Sequence, residues 1–108
     1  MTTEQFTAYY NGLNLNERIK LMNDCRDPYD PSDATDICIT LPKFVRQLTE
    51  LHIYDPHRLA TLLNEIDEGA KCWVYCWGSL YNIWDLNDLE RATGDTATIA
   101  EYYAELID

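Results

Sequence analysis

Residues 71 to 84 read Lys-Cys-Trp-Val-Tyr-Cys-Trp-Gly-Ser-Leu-Tyr-Asn-Ile-Trp, two runs of aromatic and β-branched residues around a Gly-Ser pair. Such residues suit a pleated, half-buried surface, and glycine in a two-residue connection is a short-range mark of a β-hairpin. The pattern predicts strands over 71–77 and 80–84 joined by a type II′ turn at Gly78-Ser79. That register sets Val74 opposite Ile83, Trp73 opposite Trp84 and Trp77 opposite Leu80. One face then carries Cys72, Val74, Cys76, Tyr81 and Ile83. The other carries Trp73, Tyr75, Trp77, Leu80, Asn82 and Trp84. Both faces are largely apolar, and an isolated hairpin is marginal in water, so helices must cover at least one side.

The rest of the chain supplies those helices. Phe6, Tyr9, Tyr10 and Leu13 recur at helical spacing and stop near Asn11-Gly12. Asn14 with Glu17 three residues on is a capping box, followed by a stripe of Leu15, Ile19, Met22 and Cys25. Asp27-Pro28 ends that helix, because the residue before a proline disfavours it. Ile37-Cys38-Ile39 predicts a short strand. Thr40 is the expected cap of a third helix, with Pro42 in its first turn and Phe44, Val45, Leu48 and Leu51 inward. Asp55-Pro56 opens a fourth, with Leu59, Leu62, Leu63 and Ile66 inward. Asp85 caps a short helix over 86–92 that ends at Gly94. A last helix starts at Asp95 or Thr96 with a stripe of Ile99, Tyr102, Tyr103 and Leu106. The expected architecture is a single α+β domain over residues 1–108, several short helices packed on a two- or three-stranded antiparallel sheet built around the aromatic hairpin.

Charge bounds what this domain touches. The chain of 108 residues holds 19 acidic and 8 basic side chains, net −11 with histidine neutral. Such a surface repels nucleic-acid phosphates and anionic membranes and attracts basic protein surfaces. Residues 1 to 15 lack the basic start and apolar core of a signal peptide, and no run approaches the roughly 18 apolar residues of a membrane span. The chain therefore reads as cytosolic, where Cys25, Cys38, Cys72 and Cys76 stay reduced and behave as small hydrophobes. Cys72 and Cys76 would lie about 13 Å apart on a strand, too far for one zinc ion.

Acidic groups concentrate in two places. Asp24, Asp27, Asp30, Asp33 and Asp36 repeat every third residue through a stretch containing Pro28 and Pro31. In a polyproline II segment three residues make one turn, so these side chains would project from one edge like successive phosphates. The alternative is a solvated loop, since Asp and Pro are good loop formers. An EF-hand pattern, with its central glycine and final glutamate, is absent. Arg18, Lys20 and Arg26 lie close to this ladder in sequence. Residues 64–108 are more one-sided, with ten acidic groups against Lys71 and Arg91 alone.

The candidate partner-binding residues are accordingly Asp27, Asp30, Asp33 and Asp36 on the ladder, Glu65, Asp67, Glu68, Asp85, Asp88 and Glu90 in the acidic half, and Trp77 and Trp84 on the hairpin. Stacking of nucleobases on the tryptophans would need interleaved Lys and Arg, and only Lys71 is near. Neither His52 nor His57 is matched to a nucleophile by any recognisable spacing, and no phosphate loop, Gly-x-Ser-x-Gly or His-Glu-x-x-His motif occurs. No enzyme activity, metal or cofactor is expected.

The second half resembles small acidic proteins of phages, mobile elements and gut bacteria. The matching pattern is the helix with Phe44, Val45 and Leu48, the Asp55-Pro56 helix, and the hairpin from Trp73 through Gly78-Ser79-Leu80 to Trp84-Asp85. More broadly, in size and charge the chain is similar to phage-encoded inhibitors of restriction or CRISPR systems, several of which are similar to DNA in charge layout. The resemblance implies a non-enzymatic protein that blocks a basic nucleic-acid-binding bacterial protein by replacing phosphates at Lys and Arg groups. Two other expectations stand beside it: a regulatory or structural adaptor using the aromatic face, and a dimer pairing hairpins edge to edge.

Overall fold

Local capping sets most of the helix boundaries. Thr2 and Asn14 each form a reciprocal capping box, with Gln5 and Glu17, at the heads of α1 (Thr3–Asn11) and α2 (Leu15–Asp24). Asp55, Asp85 and Asp95 accept main-chain hydrogen bonds at the heads of α4 (Pro56–Asn64), α5 (Leu86–Thr93) and α6 (Thr96–Tyr103). Between α2 and α4 lies α3 (Leu41–Glu50), where Thr40 holds the cap position but its hydroxyl makes no capping bond; Pro42 starts the helix instead. A 3₁₀ turn, Ala104–Ile107, closes the chain. This computed structural model describes residues 1–25, 34–51, 55–76 and 78–107. Among them are six α-helices and a two-stranded antiparallel sheet, an α+β fold.

Strands β1 (Cys72–Cys76) and β2 (Ser79–Ile83) pair with Val74 opposite Tyr81 and Cys76 opposite Ser79. The expected register is therefore off by two residues: Ile83 faces Cys72 rather than Val74, and Trp73 faces Asn82 rather than Trp84. The cause is the turn. Gly78 takes the second of the two connecting positions at φ +80°, a left-handed conformation that glycine adopts freely, and Ser79 already belongs to β2. A slip of two keeps every side chain on its expected face, because strand side chains alternate with period two. The pairing expected for Trp77 lies outside the described residues.

The hairpin divides two apolar clusters. Cys72, Val74 and Ile83 pack with Phe6, Tyr10, Ile19, Met22, Leu89 and Ile99, from α1, α2, α5 and α6. Trp73 on the opposite face packs with Phe44, Leu48 and Leu62 from α3 and α4, flanked by Tyr75 and Leu80. Helices thus cover both faces, which is why both are apolar. Two expected stripes are narrower than their spacing suggests. Tyr9 on α1, and Tyr102 and Leu106 at the end of the chain, are exposed. Instead Ala100 and Ala104 are buried, and their small side chains accompany the packing of α6 and the 3₁₀ turn against α1.

The expected strand at 37–39 is a single antiparallel bridge, Cys38 with Trp73. Thr35 also donates its N–H to the Tyr75 carbonyl (2.8 Å), and its hydroxyl accepts the Tyr75 N–H (2.9 Å). Three residue steps here span two on β1, the count of a β-bulge, so a regular third strand does not form. Side chains complete the ladder. The Asn23 amide brackets Ile37, accepting its N–H and donating to its carbonyl, both at 3.0 Å. Gln47 Oε1 accepts the Asp36 N–H at 2.9 Å.

Candidate protein-binding face

Asn82 organises the acidic end of the hairpin. It is a polar residue on an otherwise apolar face, and a half-buried amide needs partners. Its Nδ2 donates to the Glu65 carbonyl (2.9 Å) and its Oδ1 accepts the Asp67 N–H (2.8 Å). The Trp73 indole N–H donates to the Asp67 carbonyl at 2.9 Å, and Asp67 Oδ1 accepts the Gly69 N–H at 2.9 Å. These four bonds pin the turn carrying Glu65, Asp67 and Glu68, all exposed, beside the C-terminal end of β2.

One residue beyond β2 stands Trp84, 42% exposed. Its N–H donates to Asp88 Oδ2 (3.0 Å), and Asp85 Oδ1 accepts the Asp88 N–H (2.9 Å), so the head of α5 fixes the chain around the indole. Lys71 donates its N–H to the Ile83 carbonyl at 2.9 Å, joining the two turns across the open end of the hairpin. Arg91, itself exposed, lies 3.3 Å from the largely covered carboxylate of Asp88 in an i,i+3 pair. The turn with Glu65, Asp67 and Glu68 is thus tied to Asn82 near the end of β2, and Trp84, Asp85 and Asp88 follow from that same end.

Other predicted residues lie elsewhere. Glu90 is half-buried and turned toward α6, accepting the Thr96 hydroxyl at 3.1 Å. Asp36 sits on the bulged segment beside the far edge of β1, where its carboxylate accepts from Gln47 Nε2 at 3.3 Å. Asp27, Asp30, Asp33 and Trp77 lie outside the described residues, as does the polyproline reading of the ladder. Of the cations near the ladder in sequence, Lys20 pairs with Asp24 at 3.3 Å, but Arg18 is buried and turned away from solvent. The aromatic face is not an open platform: Trp73 is buried under α3 and α4, and Tyr75 is half-buried.

Several acidic groups have structural duties that the charge count conceals. Asp85 and Asp95 cap helices, and the Thr98 N–H on Asp95 holds that carboxyl below its usual range. Among the described residues no group of three or more His, Cys, Asp or Glu is gathered closely enough to hold a metal ion. A shallow depression of about 280 Å³ between α2 and the start of α3 is lined by isoleucines, Lys20 and Lys43. A second, about 160 Å³, is lined chiefly by apolar residues beside Thr35 and Thr93. Neither contains a histidine or a carboxylate pair. No helix among the described residues is long and apolar enough to cross a membrane.

Among the described residues Cys25, Cys38, Cys72 and Cys76 form no disulfide. Burial, and secondarily the neighbouring Cys38, pushes the Cys72 thiol up to about 11. Burial and Asp24 raise Cys25 too, but its side chain is only half-covered. Because the thiolate is the reactive form, iodoacetamide at pH 8 is expected to label Cys25 first and Cys72 only on unfolding. Mass spectrometry of a labelling time course checks this; equal rates at the two sites would contradict the buried placement of Cys72.

Comparisons with family models, with curated proteins and with solved structures find no match to this chain.

Proposed function

We propose that this protein is a non-enzymatic acidic inhibitor that binds and blocks a basic nucleic-acid-binding bacterial protein. We place it in the host cytoplasm, among the phage products that oppose CRISPR or restriction systems. The observation carrying this reading is the open end of the hairpin, where exposed Trp84 stands among Glu65, Asp67, Glu68, Asp85 and Asp88. Carboxylates there meet Lys and Arg groups that otherwise hold phosphates, and the indole supplies the desolvated anchor typical of binding hot spots. The inhibitor and the nucleic acid then compete for one surface. No cofactor takes part.

The test is capture of proteins from a bacterial lysate on the immobilised chain, at about 0.1 M and about 1 M salt, where the screening length falls from roughly 10 to 3 Å. Basic nucleic-acid-binding proteins are expected at low salt and are lost at high salt. The triple variant Asp67→Asn, Glu68→Gln, Asp85→Asn keeps the cap and turn hydrogen bonds, because Asn caps a helix as well as Asp. It is expected to weaken capture by about ten-fold or more. Capture unchanged by both salt and the triple variant, but lost in Trp84→Ala, would instead favour the adaptor reading, for which Trp84 is an exposed aromatic beside the hairpin.

A further inference from the structure

The two edges of the sheet are finished differently. On the outer edge of β1, Cys38 exchanges both main-chain hydrogen bonds with Trp73 (2.8 and 2.9 Å), and Thr35 serves Tyr75. Asn23 and Gln47 then occupy the groups of Ile37 and Asp36 that face away from the sheet. That edge is closed. Because Trp73 directs its N–H and C=O toward Cys38, it occupies a non-hydrogen-bonded position toward β2. The hydrogen-bonded pairs of the hairpin are therefore Cys72 with Ile83, Val74 with Tyr81 and Cys76 with Ser79. By the same alternation, the N–H and C=O of Leu80 and Asn82 point away from β1, along the outer edge of β2.

Among the described residues no main-chain group meets those of Leu80 and Asn82. Both residues are half-buried rather than enclosed. The Asn82 side chain is engaged by the Glu65–Asp67 turn and does not fold back over the edge. Natural edges are commonly blunted by lysine, proline or a bulge, and the segment Ser79-Leu80-Tyr81-Asn82-Ile83 has neither lysine nor proline and pairs without a bulge. It ends directly at Trp84 and the carboxylates around it.

Resting on the reading above, we infer that the outer edge of β2 accepts an extended, basic segment of the partner as an added strand. Leu80 and Asn82 supply the main-chain hydrogen bonds, and Trp84 with Asp67, Glu68 and Asp85 receives the Lys or Arg side chains at one end of the segment. Charge selects the occupant. A second copy of this chain carries the same net charge of −11, and repulsion between like-charged copies opposes that pairing.

The probe is a short capped peptide alternating lysine and valine, with two analogues N-methylated at alternate amides, the odd set or the even set. In an added strand only one set of amides faces β2, and the valine face selects which. One analogue is expected to bind about ten-fold or more weakly than the parent and the other equally well. The parent is also expected to slow hydrogen exchange of the Leu80 and Asn82 amides. Equal binding by both analogues, unchanged exchange at these two amides, or no binding of the peptide overturns strand addition. Salt-sensitive binding with equal analogues would do so while leaving the acidic-surface reading intact. The triple variant is expected to weaken all three peptides while preserving the difference between analogues. Protection of Leu80 and Asn82 in a concentration-dependent dimer that the peptide does not dissociate overturns the choice of occupant.

Discussion

Trp73→Ala is expected to destabilise the domain by about 3–5 kcal/mol, a large share of the roughly 5–15 kcal/mol typical of a whole domain. Trp73 is 5% exposed and holds the second apolar cluster on the sheet, in the company of Cys38, Phe44, Leu48 and Leu62. Alanine leaves a cavity that α3 and α4 can fill only by shifting toward the strands. It also removes the indole N–H from the Asp67 carbonyl, loosening the turn that carries Asp67 and Glu68. Trp73→Phe separates the two effects: it retains most of the packing and loses a hydrogen bond worth about 1 kcal/mol. Urea unfolding reads both, with the midpoint falling and the slope unchanged. A loss below about 1 kcal/mol for Trp73→Ala would mean that the second helical layer does not depend on the sheet.

Arg18→Ala is expected to destabilise the other face by about 2–4 kcal/mol. Arg18 is 6% exposed, its guanidinium carbon lies 4.4 Å from the centre of the fully buried Tyr10 ring, and its Nε donates to the Leu13 carbonyl at 3.1 Å. A desolvated cation on an aromatic face contributes about 2 kcal/mol, and a hydrogen bond from a charged donor about 1.5–3 kcal/mol, with desolvation of the charge opposing both. Lysine does not substitute, because a point-like ammonium lacks the planar fork that stacks and donates together. Arg18→Lys should therefore recover less than half of the loss. Arg18→Met restores bulk and still leaves the Leu13 carbonyl without its donor; thermal unfolding as high as the parent's would refute this role. Burial raises the Tyr10 hydroxyl, and Arg18 opposes that rise, so removing the cation should raise it further in an ultraviolet titration.

These residues show where sequence reading succeeds and where it stops. Caps are local: Asn14 with Glu17, Asp55 before Pro56, and Asp85 and Asp95 each act within four residues, so their helices were legible along the chain. Arg18 was not legible. In sequence it stands among charges near the aspartate ladder, and only the return of α2 against α1 places Tyr10 beneath it. Asn82 gave a faint signal as the one amide on an apolar strand face, but its partners lie 15 and 17 residues away. Asn23 and Gln47 gave none, being ordinary polar positions on helices until the bulged segment passed beside them. The face assignment of the hairpin survived a wrong register because parity is a property of the strand, whereas register depends on which residues the turn consumes.

By itself, the sequence determined the helices, the hairpin, its two apolar faces and the charge excess, because caps, periodicity and composition act over a few residues. Tertiary structure decided which acidic groups share a surface. It tied the turn of Glu65, Asp67 and Glu68 to the end of β2 that leads into Trp84, Asp85 and Asp88, set Asp36 and Glu90 apart, buried Trp73, closed one edge of the sheet and left the other without main-chain partners among the described residues. The physical reason is the range of the forces involved. Hydrogen bonds and packing act over a few ångströms in space, and which distant residues come within that distance is fixed only when the helices close on the two faces of the strands.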